Sequence, residues 1–336
     1  MDFKSFGNGA VRIKPLAFES LGVRGMATHV ETDDVGMIID PGSALGPRFN
    51  LDPHELEYTA LFKTREEILM SSDSVDLLTI SHYHFDHFVP NFENWKFIWS
   101  SPEMAESLYK DKLVLAKDIS ENINASQRKR GYMFRKKNLD FSEEIRVADG
   151  YETEMDSTKL RFSKPVYHGP KGTKLGYTLI LTVETPNFNV VHAPDVQGPM
   201  YRESLEYILS QDPDLLLIGG PPTYISFKLE EKDLRNAREN LKALAKKVPI
   251  LVIDHHLLRS TEYLDFLEPI AKVADERGHE VMTASELIGI EPNLLEANRK
   301  ELHEEEPVGE DWYERLEKGE VEKEMKSAGD GFIYGK

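Results

Sequence analysis

Apolar positions along this chain follow two rhythms, one of period two and one of helical period. Val11 to Phe18 alternates and predicts a first strand. Gly25–Glu31 and Val35–Ile39 predict the next two, joined by turn chemistry at Asp33-Asp34. Val75–Ile80 reads as a short buried strand and Phe97-Ile98-Trp99 as another. Val147, Tyr151–Glu154 and Lys159–Phe162 read as strands of a second sheet, followed by a strand ending at His168 and by Gly176–Leu181, Phe188–Ala193, Ile250–Ile253 and His279–Met282. Asp214–Ile218 is almost wholly apolar, the signature of a strand covered on both faces. Helical spacing marks Glu55–Ser71, Pro102–Leu108 with Ser101 as its N-cap, Tyr201–Leu209, Asp233–Lys247 and Thr261–Glu276. Strand-rich halves with intervening helices are thus predicted over residues 1–290, with no internal repeat.

Two stretches depart from this rhythm. Asn122–Lys137 is polar and basic, and reads as part of a helical insertion, about residues 100–145, lying over the mouth of a site. Beyond Glu291 the chain is acidic and poor in bulky apolar residues, which predicts a charged tail over 291–336, helical or partly disordered.

Composition narrows the class. The 336 residues are 40% hydrophobic and 30% charged, as in a soluble globular protein, and no apolar run is long enough to span a membrane. The N-terminus lacks a basic-then-apolar leader pattern, so a cytoplasmic location is the expectation. There are no cysteines, which excludes disulfides and thiolate metal sites. That absence, together with few glutamines and much Lys and Glu, suits a thermophile. A net charge of −18 argues against an anionic-membrane binder or a nucleic-acid coat, although it leaves room for one cationic groove. Partners beyond a substrate are left open, self-association included.

The chemistry concentrates in Ser81-His82-Tyr83-His84-Phe85-Asp86-His87. Imidazole and carboxylate are ligands of zinc and related divalent ions. In extended chain an H-x-H spacing places two imidazoles on one side. Asp86 and His87 then turn towards a neighbouring point, so one stretch can serve two ions. No G-x-S-x-G, P-loop or dinucleotide fingerprint is present.

His82-x-His84-x-Asp86-His87 resembles the H-x-H-x-D-H motif of the metallo-β-lactamase fold superfamily, and the chain over about residues 10–290 resembles an archaeal group of metal-dependent hydrolases with that fold. The resemblance implies a four-layer αββα sandwich. It implies a first metal held by His82, His84 and His168, a second held by Asp86, His87 and His255, and Asp195 bridging them. Pro194 and Val196 flank Asp195 where the superfamily more often has Gly and a hydroxyl residue. Between His255 and His256 the register favours His255, since Ile253-Asp254-His255 repeats Ile80-Ser81-His82. Asp40, after the third strand, is implied to orient the ligand loop without touching metal. His29 and His192 read as packing residues.

Histidines with few carboxylates favour zinc, and the same shell accepts iron or manganese. Two ions about 3.5–4 Å apart share a hydroxide whose parent water falls from pKa 15.7 to about 7; Asp86 and Asp195 are the carboxylates placed to act in catalysis, with Asp40 behind them. Phosphodiester hydrolysis, of RNA, DNA or a small phosphodiester, is the leading expectation. It rests on Arg128, Arg130 and Arg135 in the basic segment, Arg259 four residues beyond His255, Tyr224 in the loop after Asp214–Ile218, and Tyr132 and Phe134 as stacking surfaces. Hydrolysis of small carboxylic esters, lactones or thioesters is the first alternative. A di-iron redox or binding protein is the second.

Overall fold

A computed structural model describes residues 2–309 and 311–328. Seven strands form a first sheet in simple chain order: β1 (Lys4–Phe6), β2 (Val11–Ala17), β3 (Ala27–Thr32), β4 (Gly36–Ile39), β5 (Leu77–Ile80), β6 (Leu113–Ala116) and β7 (Glu144–Val147). β1 to β4 are antiparallel, and β4 to β7 run parallel through the helical crossovers α1 (Glu55–Ser72), α2 (Pro102–Tyr109) and α3 (Ala125–Asn138). The second sheet uses β8 (Glu152–Met155), β9 (Thr158–Phe162), β12 (Leu181–Glu184), β13 (Asn189–Ala193), β14 (Leu215–Gly219), β15 (Ile250–Asp254) and β16 (Glu280–Met282), in the order β16-β15-β14-β13-β12-β9-β8. Between β9 and β12, β10 (Val166–Tyr167) and β11 (Tyr177–Thr178) make a two-stranded ribbon. Outside the second sheet lie α4 (Arg202–Ser210), α5 (Glu231–Ala245) and α6 (Tyr263–Asp275), and α7 (Ala284–Leu287) follows β16.

Strand alternation explains the layering. Met37, Ile39, Leu77 and Leu115 point inward and meet Leu215, Leu217, Val190 and Val252 of the other sheet, forming the central core. Their neighbours Ile38, Leu78, Ile80 and Val114 point outward beneath α1 to α3, while Leu216, Ile218, Leu251 and Ile253 face α5 and α6. Three apolar layers therefore separate four structural ones, giving the expected αββα sandwich.

Several local expectations are corrected. The residues expected as a helical insertion, about 100–145, are part of the body of the fold. They supply β6 and β7 to the first sheet, and α3 is the crossover between them; Val147 thus belongs to the first sheet, not the second. Phe97-Ile98-Trp99 is a turn beside an isolated Asn94–Ser100 bridge. The described part of 291–328 is a packed limb with three short helices, α8 (Arg299–Glu305), α9 (Trp312–Glu317) and α10 (Glu320–Ala328). Trp312, Leu316, Val321 and Met325 join the apolar layer under α1 and α2. Arg299, fully buried, forks onto the Glu57 carboxylate at 2.7 and 2.6 Å and also donates to the carbonyls of Gly46 and Leu51. Arg24 grips Glu296 in the same way, at 2.6 and 2.8 Å. A net acidic composition hid the fact that these charges are internally neutralised.

Helix α1 also positions the site. Its buried Arg65 donates to the carbonyls of Pro41, Ser43, Ile98 and Trp99, pinning the Asp40–Ser43 turn. Burial pushes that guanidinium down to about 10, still well above neutrality. In the same turn, a Cβ on Gly42 would lie 2.4 Å from the backbone nitrogen of His87, so only glycine lets this turn touch the histidine loop.

Candidate metal centre

The histidine loop leaves the end of β5, Asp40 follows β4, Asp195 follows β13 and His255 follows β15. All sit at the carboxyl ends of strands, along the seam where the two sheets open. Asp40, Asp195 and His255 have left-handed backbone, with φ of 50°, 53° and 59°. Such non-glycine positions cost roughly 1–3 kcal/mol each and persist only where the surroundings impose them.

Asp195 is the hub. Its Oδ2 lies 2.9 Å from His82 Nε2, 2.8 Å from His168 Nε2, 3.2 Å from His87 Nε2 and 3.9 Å from His84 Nδ1. Its Oδ1 lies 2.8 Å from His255 Nε2 and 3.0 Å from His256 Nε2. Asp86 Oδ2 stands 3.8 Å from His255 Nε2. Among the described residues four groups of potential ligand atoms result, each within 4.8 Å: His82/His84/His168/Asp195, Asp86/His87/His255, Asp195/His255/His256 and Asp40/His82/His87. The structure therefore brings together all seven residues expected around metal and adds His256.

The outer nitrogens fix how the rings present themselves. His87 Nδ1 meets Asp40 Oδ2 at 2.8 Å, and Asp40 also accepts from the Ser81 amide and hydroxyl at 2.7 and 2.5 Å. His82 Nδ1 lies 3.0 Å from Ser81 Oγ, and His255 Nδ1 lies 2.8 Å from Glu19 Oε2. A carboxylate behind an imidazole holds the proton on the outer nitrogen and aims a lone pair inward. Glu19, in a short 3-10 turn (Glu19–Leu21), was not anticipated; an isolated Glu beside Phe18 carries no local pattern that marks it.

Electrostatics separate the histidines into two kinds. Burial holds His82, His84 and His256 below the ordinary imidazole range, so they are neutral. Burial would lower His255 too, but the Glu19 and Asp195 carboxylates push it up to about 9. His87 is likewise raised against its burial, by Asp195, Asp40 and Asp86. Asp195 would be raised by burial, yet His168, His255 and His87 hold it far below the carboxylate range. Deeply buried, His87 Nε2, His255 Nε2, Asp195 Oδ1 and both nitrogens of His256 lack a hydrogen-bond partner of good geometry. Orphaned donors and acceptors converging on one point are costly unless something binds them. The opening to solvent is at His84, Asp86 and His256, whose side chains alone in the group are more than a tenth exposed.

The expected substrate contacts divide. Arg130 lies over the Phe85 ring at 4.5 Å and donates to the Tyr83 carbonyl, beside the loop. Arg128 instead caps the Ser120 carbonyl and Arg135 the Ile145 carbonyl. Phe134 is packed among Tyr83, Phe88 and Tyr109 and is not free to stack a base; Tyr132 is exposed. Arg259 is buried, neutralised by Glu19 at 2.6 Å, 3.8 Å from Asp86 Oδ2 and 3.3 Å from the Tyr224 hydroxyl. His192 is a packing residue bonded to the Met26 carbonyl, and His29 is buried beneath Phe3.

No protein-family model matches the chain. It is 46% identical over 298 residues to the UPF0282 protein of Methanopyrus kandleri, covering 88% of this chain and 100% of that one. Among solved structures it is similar to CmlA, a diiron β-hydroxylase from Streptomyces venezuelae, with a TM-score of 0.48 and 13% identity over 81% of this chain and 52% of that one. It is also similar to Tm1679, a metal-dependent hydrolase of the β-lactamase superfamily, with a TM-score of 0.45 and 12% identity over 81% of this chain and 95% of that one.

Proposed function

We propose that this chain, which belongs to the UPF0282 family, is a metal-dependent hydrolase of phosphodiesters. The observation that carries the metal chemistry is the position of Asp195 among the rings, with Oδ2 facing His82, His168 and His87 and Oδ1 facing His255 and His256. The donor set fits divalent ions: neutral or carboxylate-backed imidazoles, inward lone pairs, orphaned atoms and no thiolate. His82, His84 and His168 would hold one ion, Asp86, His87 and His255 a second, with Asp195 between them and zinc favoured. When bound, such ions make a water acidic enough to attack at neutral pH and polarise the oxygen of the group under attack.

The chain's own residues then define the reaction. In phosphodiester hydrolysis a water oxygen bonds to phosphorus, one phosphorus–ester oxygen bond breaks, and its electron pair leaves on an alcohol that takes up a proton. Asp86, held ionised despite its burial by His87 and His255, opens to the mouth and accepts the proton of the attacking water. The proton taken by Asp86 can pass through solvent at the mouth to the leaving oxygen, while His256 stays neutral there with its Nε2 3.0 Å from Asp195 Oδ1. Arg130, half-buried at the loop, supplies the cation that a phosphoryl oxygen needs and a lactone does not.

The test is metal content by elemental analysis with turnover of bis(p-nitrophenyl) phosphate, beside lactone and thioester panels. Asp195→Ala should lose at least one ion per chain and its turnover while keeping its fold. Arg130→Ala should lower phosphodiester kcat/KM, and Arg128→Ala should not. Full metal occupancy with unchanged turnover in Asp195→Ala would overturn the metal assignment, and lactone turnover without phosphodiester cleavage would move the substrate to the carboxylic ester class.

A further inference from the structure

Next to the histidine loop lies a groove of 500 Å³. One wall is the loop itself and its continuation, Phe85 to Phe92; the other is the face of α3 that carries Ser126, Arg130, Met133 and Lys137 at helical spacing. The adjoining face of α3 is buried through Gln127 and Gly131, and Phe134, buried as well, lies at the base of the groove. Its floor is hydrocarbon, and two of its members are open to solvent: Phe92 is 42% exposed and Met133 41%. Cations mark the rim, Lys129, Arg130 and Lys137, with no carboxylate among the lining residues.

This groove adjoins the ligand-bearing loop through Phe85. Phe85 stands in the chain between His84 and Asp86, and its ring lies under the Arg130 guanidinium. A ligand whose anionic group sits at Arg130 can therefore extend an uncharged part along the floor. A nucleic-acid strand fits this poorly. Its charges recur at every nucleotide, whereas here the cations line only the rim of one short apolar slot, in a protein of net charge −18.

We propose that the groove between the histidine loop and α3 binds a hydrocarbon substituent of the substrate, so that the enzyme acts on amphipathic phosphodiesters. This rests on the phosphodiester reading above and adds the identity of one ester group. Complementarity of charge sets the orientation: phosphoryl group at Arg130, chain along Phe92 and Met133.

The metal-loaded full chain is tested in two ways. Turnover is compared for methyl and hexyl p-nitrophenyl phosphate. Binding is read separately, without catalysis, as displacement of 8-anilinonaphthalene-1-sulfonate by hexyl methyl phosphate, dimethyl phosphate or a short single-stranded RNA. The hexyl ester should exceed the methyl ester in kcat/KM by about tenfold or more. The ceiling is about a thousandfold, if some five added methylenes were fully buried at ~0.8 kcal/mol each. Met133→Glu should bring that ratio to about one and abolish displacement by hexyl methyl phosphate; Lys136→Glu, exposed on α3 outside the groove, should preserve both. A wild-type ratio near one, with no preference for the hexyl ligand in displacement, overturns the proposal while leaving phosphodiester hydrolysis standing. Displacement by RNA in preference to the hexyl ligand overturns it in favour of a nucleic-acid site. Displacement that depends on Met133 with no phosphodiester cleaved supports the groove and removes the hydrolysis reading.

Discussion

Replacing Glu19 by Gln should weaken the second metal site above about pH 9, where no proton has to leave His255, and the loss should shrink towards neutral pH, all without altering any group that faces the metals. Glu19 lies behind the centre, with Oε2 2.8 Å from His255 Nδ1 and Oε1 2.7 Å from Arg259 Nε. Its charge is the foremost influence raising His255, to about 9, against burial that lowers it. Two consequences follow. At pH 7 the metal-free His255 is protonated, so binding an ion there must release that proton, at a cost near two pK units or about 2.7 kcal/mol. Wild-type affinity should therefore rise with pH up to about 9 and then level. In Glu19→Gln the imidazole titrates lower, the rise with pH ends earlier, and fewer protons are released per ion at neutral pH. The ring also loses its anionic partner, a loss that typically costs 10–100-fold in affinity, or about 1.4–2.7 kcal/mol. Calorimetry of zinc binding in buffers of different ionisation enthalpy measures affinity and proton release together. Because the substitution strands the Arg259 cation, the double variant Glu19→Gln/Arg259→Leu is compared to separate lost stability from lost affinity. Unchanged affinity and unchanged proton release in Glu19→Gln would refute the reasoning.

Three further outcomes are expected. His255→Ala should lower metal per chain by about one ion and His256→Ala by less, because His255 is locked by Glu19 while neither nitrogen of His256 has a protein partner of good geometry; elemental analysis showing the reverse order would make His256 the ligand. Arg299→Ala leaves the Glu57 carboxylate buried without its cation, and guanidinium unfolding should register a loss of about 3–5 kcal/mol; a loss below about 1 kcal/mol would show that the C-terminal limb is not held by this pair. Burial would raise Glu296, yet Arg24 lowers it from 4.5 to about 2, so its contribution is complete above pH 4.5 and is lost as the pH falls towards 2. That contribution is about 3 kcal/mol, and Glu296→Gln should flatten the acid limb of the stability curve; identical limbs in the two proteins would contradict it.

What the sequence made legible, and what it did not, follows the range over which each signal acts. The histidine loop is readable because four potential ligands fall within six residues, and β14 because its apolar run needs no context. The four-layer fold was implied by the resemblance, and strand alternation agrees with it, since residues that alternate in sequence, such as Ile38 and Ile39, go to different layers. Glu19 was not legible: its partners are 236 and 240 positions away. The helical character expected of the acidic limb is present, but its packing was not legible for the same reason, because Glu296 is neutralised by Arg24 across 272 positions and Glu57 by Arg299 across 242. β6 and β7 were absorbed into a supposed insertion because the polar helix between them dominates the composition of the segment. Arg128 and Arg130 look equivalent in sequence, and only the direction each leaves α3 separates a surface cap from a neighbour of the loop.

Asp195 draws its neighbours from both sheets, and this bears on how the protein acquires its metals as it is made. A ribosome adding roughly 5–20 residues per second releases His87 on the order of ten seconds before His255. Until Asp195 emerges within that interval, the nascent chain displays the three imidazoles of the loop and Asp86 with neither that carboxylate nor the Glu19-backed ring to complete a shell. A partial set of this kind follows intrinsic affinity, in which copper outcompetes the other first-row ions. Discrimination begins only when the second sheet closes on the first and fixes the number and placement of donors. The growing chain therefore cannot select its own ions; selection belongs to the finished fold and to the metal pool it meets.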